Sequence, residues 1–166
     1  MSTITVGRTS QGFLVRVGHH GTLRESRVLA EFIAHIQPPA EVDLDLSAVA
    51  YLDSTFLGSL IGFHKRLNTG HLGHFRICGP VDHARRLMGK TRLDTILPLT
   101  DVIPDLLGDE QTISQDAIDS SDLAHFIADA HRKLAGLGGP DSPAYARVAD
   151  HLEEESGKHP HETRRP

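Results

Sequence analysis

Residues 42–67 restrict the fold of this 166-residue chain more than any other stretch. Val42, Leu44 and Leu46 alternate with Asp43, Asp45 and Ser47, the period of a strand with one covered face. Asp53 and Ser54 then precede Leu57, Leu60, Ile61, His64 and Leu67, which recur as one helical face and stop before Asn68 and Gly70. A strand running into a capped helix is half of a βαβ unit, and such units pair their strands in parallel beneath the helices.

The flanking patterns complete a domain. Ile4 to Arg8 and Phe13 to Val17 alternate as strands around the turn formers Ser10, Gln11 and Gly12, so the fold opens with an antiparallel hairpin. Ser26 is a candidate N-cap for a helix carrying Val28, Leu29, Phe32, Ile33 and Ile36, halted by Pro38 and Pro39. His74 to Cys78 reads as a strand, Val81 to Met88 as a short helix, and Thr95 to Leu99 as a last apolar segment interrupted by Pro98. The order ββαβαβα makes this an α/β chain with a mixed β-sheet of four to five strands and helices packed on it, over residues 1–110.

Residues 111–119 are polar and aperiodic and read as a linker. Periodicity resumes at 120–156 as a C-terminal helical hairpin. Its first helix carries Leu123, Phe126, Ile127, Ala130, Leu134 and Leu137 before Gly138, Gly139 and Pro140; its second, opened by Ser142 and Pro143, carries Tyr145, Val148, Ala149 and Leu152. The apolar face needs cover, and pairing with a second copy of the hairpin in a homodimer is the expectation. The charged tail 157–166 is expected to be disordered.

Composition excludes several classes. A formal charge of −5 without a basic block disfavours a nucleic-acid partner. No apolar run reaches the length of a membrane span, and the N-terminus carries no basic segment followed by an apolar one, so no membrane is expected and the chain reads as cytoplasmic. The single cysteine, Cys78, sits on a central strand as inert packing, in keeping with that compartment. His19-His20, His71 with His74, and His159 with His161 lack the Cys or carboxylate that would complete a zinc set, so no metal is expected. With no phosphate-cradling loop, Ser/His/Asp order or paired carboxylates, the chain is not expected to be an enzyme or to need a cofactor.

The segment Asp45-Leu46-Ser47, a short spacer, then Asp53-Ser54-Thr55-Phe56-Leu57-Gly58 resembles the STAS domain family, whose best-known members are bacterial anti-sigma-factor antagonists. The family pattern is a strand ending in D-L-S, a loop, then D-S-[S/T]-G-L-G opening a helix. The resemblance implies a regulatory protein-binding domain whose serine after the aspartate is phosphorylated by a partner that is both serine-protein kinase and anti-sigma factor. That acceptor is Ser54, with Thr55 as the alternative; ATP would be bound by the partner, and a phosphatase would reset the switch. A phosphate at a helix N-terminus meets the positive end of the helix dipole and adds negative charge beside Asp53, which would repel a partner surface. The plain structural reading of Ser54 is an N-cap.

Phe56 stands where the family has glycine, and Gly18-His19-His20-Gly21 replaces a usual G-E-[L/I]-D run. These features favour the alternative of a non-switching scaffold or oligomerisation module; a small-ligand or nucleotide sensor is a third reading. Gly58 and Gly62, each costing about 1 kcal/mol inside a helix relative to alanine, mark either close packing on the sheet or a flat strip for a partner helix. Asp53, an exposed Phe56, Gly58 and Gly62 form the expected partner-binding surface.

Overall fold

The computed structural model describes residues 3–37, 40–68, 73–113 and 122–158. β1 (Ile4–Arg8) and β2 (Gly12–Val17) form the opening antiparallel hairpin. Thr9 closes its turn, donating its N–H to the Gly12 carbonyl at 3.0 Å and accepting the Gly12 N–H on its hydroxyl at 3.1 Å. β2 pairs in parallel with β4 (Ala40–Asp45), β4 with β6 (Gly73–Cys78), and β6 with β7 (Leu99–Thr100). β8 (Gln111–Thr112) joins the outer edge of β1 antiparallel, giving the order β7-β6-β4-β2-β1-β8. The sheet is therefore mixed, with six strands rather than four to five. Its two extra edge strands are two residues long, too short for any alternation to register. Gln111 and Thr112, placed in the linker by sequence, are sheet residues; positions 114–121 lie outside the described residues.

A separate two-stranded parallel ribbon joins β3 (His20–Gly21) to β5 (Tyr51–Leu52). The helices are α1 (Leu23–His35), α2 (Ser54–Asn68), α3 (Asp82–Thr91), α4 (Leu123–Ala135) and α5 (Ser142–Lys158). α1 begins before the expected cap: Thr22 is the N-cap, and the Glu25 carboxylate accepts its backbone N–H at 2.9 Å. Ser26 lies inside the helix with its hydroxyl donated to the Thr22 carbonyl. The tail assignment also shifts, because α5 continues to Lys158; the remaining residues 159–166 are outside those described.

Strand alternation sorts the central sheet into two faces. Val15, Val17, Val42, Leu44, Phe75 and Ile77 join the helices in one buried core. The other face carries the ion pairs Arg16–Asp45 and Arg76–Asp43 beside buried Leu14 and Cys78. Burial pushes the Cys78 thiol up to about 12, with the Asp43 carboxylate adding to the effect. The folded chain thus keeps a proton that an unfolded thiol releases at about pH 8.5. This contribution to stability is complete below that pH and is lost as pH rises, by at most about 1.4 kcal/mol per pH unit. Urea titrations between about pH 8 and 10 are expected to show this slope in the native chain and lose it in Cys78→Ala; equal slopes would reject the assignment.

Candidate functional site

The site is the first two turns of α2 and what they touch. Asp53 precedes the helix and uses both carboxylate oxygens. Oδ1 accepts the Phe56 N–H at 2.7 Å, the contact of an N-cap with the third helical residue. Oδ2 accepts the Leu23 N–H at 3.0 Å, tying down the start of α1. Its own N–H donates to the Gly21 carbonyl at 2.9 Å. Asp53 is therefore the cap of α2 and the joint between two helices and the β3–β5 ribbon. Ser54 is released from the capping role the residue pattern offered it.

The Ser54 hydroxyl instead lies 2.8 Å from Nε2 of His131, on α4. His131 Nδ1 lies 2.8 Å from the Ile127 carbonyl, which can only accept, so Nδ1 carries the proton in the neutral ring. Nε2 is then an acceptor and Ser54 donates to it. His131 is 6% exposed and packs edge-on against Tyr145 of α5, with ring centroids 6.0 Å apart. Further along α2, a β-carbon on Gly58 would stand 2.1 Å from the Ala130 carbonyl oxygen, so only glycine lets the two helix backbones approach this closely. Gly62 lies below the Lys133 ammonium, 3.1 Å from where its β-carbon would be. The flat strip does hold a helix, and that helix belongs to the same chain.

Three expectations change as a result. The hairpin face expected to meet a second copy is covered by α2: Leu134 enters the domain core, with Leu137 and Tyr145 packed against it. Arg27 of α1 lies over the Phe126 ring, 5.2 Å from its centroid, and Lys90 at the end of α3 pairs with Asp141 at 2.9 Å. α2 thus takes up part of the face, around Leu134, that the expected homodimer assigned to a second copy. Phe56, expected to be exposed, has 0% exposure. Its ring fills the space left by Gly21, whose β-carbon would stand 3.0 Å from Cδ1 of Phe56. Phe56 thus packs toward the ribbon as core rather than as partner surface, because sequence periodicity weighed only the sheet beneath α2. Thr55, the alternative acceptor, is 6% exposed, whereas Ser54 is half-buried.

His131 was not singled out by sequence. Its one signal is position, four residues after Ile127 and three before Leu134, on the apolar face of α4. Among the described residues no cluster of three His, Cys, Asp or Glu side chains could hold a metal ion; His71, His159 and His161 lie outside them. Among the same residues no helix is long and apolar enough to cross a membrane.

A family profile for the STAS domain matches residues 20–106, just over half of the chain. No protein of curated function matches its sequence. Among solved structures, the chain is similar to an anti-sigma-factor antagonist (STAS) domain protein from Planctomyces limnophilus, with 20% identity and a TM-score of 0.53 over 60% of this chain and 91% of that one. It is also similar to a putative anti-sigma factor antagonist from Thermotoga maritima, with 21% identity and a TM-score of 0.47 over 54% of this chain and 80% of that one. A third is the anti-sigma factor antagonist SpoIIAA in its unphosphorylated form, with 12% identity and a TM-score of 0.43 over 58% and 86%. The first of these likenesses concerns the fold: a mixed sheet with helices packed on it.

Proposed function

The chain belongs to the STAS domain family, and from that membership we propose a cytoplasmic, regulatory protein-binding domain of the anti-sigma-factor antagonist kind, switched by phosphorylation of Ser54. The observation that carries this reading is the helix start itself. Asp53 caps α2 through its own carboxylate, so the Ser54 hydroxyl, at the first helical position, is not consumed by the capping role. A partner serine kinase that is itself the anti-sigma factor binds ATP and transfers the γ-phosphoryl group to Ser54 Oγ, with loss of the hydroxyl proton. This chain supplies only the acceptor. The added charge of about −1.5 to −2 is tolerated by the positive end of α2 and repels an acidic or closely fitted partner surface next to Asp53. A phosphatase restores binding.

Incubation with such a kinase and ATP, followed by intact-mass measurement and peptide mapping, is expected to give a single added phosphate at Ser54. Ser54→Ala should lose the increment, and Thr55→Ala, at a buried position, should keep it. Phosphate mapped only to another residue would overturn the assignment. The burial of Phe56 in place of the family's glycine favours a second reading, a STAS-type scaffold that binds a partner without a switch. That reading predicts partner affinity unchanged between native chain and Ser54→Asp, whereas the switch predicts weaker binding by Ser54→Asp.

A further inference from the structure

We propose that the C-terminal hairpin is an autoinhibitory cover: seated on α2, it withholds Ser54 from any kinase or partner until it is displaced. The contact is specific. The Ser54 hydroxyl is aimed at His131 Nε2 at 2.8 Å, so a phosphoryl group in place of its proton would overlap the imidazole. His131 in turn is set by the Ile127 carbonyl and backed by Tyr145, and neither ring nitrogen is left for an outside group. The Gly58 contact with the Ala130 backbone brings α4 close enough that no second helix fits between them. α4 and α5 form one packed unit, because Tyr145 of α5 meets the His131 ring edge-on and Ala149 of α5 is fully buried.

The cover is also separable from the fold it covers. The sheet core draws on β1, β2, β4, β6, α1, α2 and α3; of the buried α4 residues Ala128, Ala130, His131 and Leu134, Leu134 alone belongs to that cluster, and Ala130 meets α2 at Gly58. Several of the remaining ties to the domain are surface contacts: Arg27 over Phe126, and the exposed Lys90–Asp141 pair. Exposed pairs of this kind contribute little. Lifting the hairpin therefore leaves the strand pairing intact, and the fraction of lifted molecules sets how often Ser54 can be reached. Only the regulatory consequence rests on the reading of Ser54 as a phosphoacceptor; the cover itself does not.

The test separates the two. In the full chain, Ser54→Cys gives one accessible thiol to follow, because Cys78 is fully buried and its thiol stays protonated well above neutral pH. Labelling of the introduced thiol by a maleimide near neutral pH is expected to be slow in this chain and at least about tenfold faster when Ala130→Glu is added, since a carboxylate against the α2 backbone opens the contact. Gly58→Val, which forces the helices apart from the other side, should do the same. Amide exchange of β4 and β6 is expected to stay protected in both variants, and a variant that loses it is set aside in favour of the other. Equal labelling with and without the opening substitutions overturns the cover, as does an introduced thiol that reacts as fast as free cysteine in the otherwise native chain. A kinase arm follows on chains that keep Ser54. Phosphorylation accelerated at least about tenfold by Ala130→Glu supports the regulatory role, and equal rates overturn it. A shielded, releasable thiol in the Ser54→Cys chains, together with no phosphate on Ser54 in either kinase-treated chain, overturns the phosphoacceptor reading and leaves the cover standing.

Discussion

Phe56→Ala is expected to destabilise the chain by about 3–5 kcal/mol, the range for removing a fully buried aromatic ring. Phe56 has 0% exposure and fills the space between Gly21, Leu52 and the start of α2. Truncation leaves a cavity at the junction of the ribbon with the helix, where Asp53 already holds three elements and little collapse is available. An exposed Phe56 would give a loss within about 0.5 kcal/mol of zero, so urea denaturation followed by circular dichroism discriminates by a wide margin. A change below about 1 kcal/mol would reject the core assignment. Glycine at this place in the family and phenylalanine here are not interchangeable, because the ring is accommodated by the missing side chain of Gly21.

Asp53→Ala is the second large effect, expected at about 3 kcal/mol from the combined loss of a helix cap and of the acceptor for a second helix's first N–H. The paired substitution Asp53→Asn keeps one carbonyl oxygen. It can still cap Phe56 but turns its amide N–H2 toward the Leu23 N–H, so about half of the loss is expected. Equilibrium unfolding of both variants checks the ratio. If Asn costs as much as Ala, the charge rather than the geometry holds the joint; if neither costs more than about 1 kcal/mol, Asp53 does not clamp α1 to α2. The result also bears on Ser54, since a stable α2 start is what keeps its hydroxyl in a defined direction.

The residue pattern made the central architecture legible for a physical reason. Side-chain alternation in β1, β2, β4 and β6 and the helical stripe in α2 are local records of which face is buried, and they survive without knowledge of neighbours. The same holds for Asp53-Ser54-Thr55, whose cap chemistry and family pattern lie within consecutive residues. What escaped were features whose cause lies elsewhere in the chain. β7 and β8 are strands only because β6 and β1 offer free edges to them. The α1 cap differs in kind: Thr22 and Glu25 form a capping box within four consecutive residues, a local signal, and only the Asp53 acceptor for the Leu23 N–H comes from elsewhere.

The site divides along the same line. Sequence by itself determined that Ser54 opens a helix after a strand, that Gly58 and Gly62 call for close packing on the sheet or against another helix, and that residues 123–137 carry an apolar face in need of cover. Each is a property of one segment and its own periodicity. Only the tertiary structure decided what meets what: that the strip is filled by the chain's own α4, that His131 reaches Ser54, and that Phe56 turns inward against Gly21. An apolar stripe states that it must be buried but not against which surface, because the free energy of burial depends on area removed from water and is indifferent to the identity of the partner. Where α2 and α4 meet, shape decided the fit, since Gly58 lets one backbone come within reach of the other.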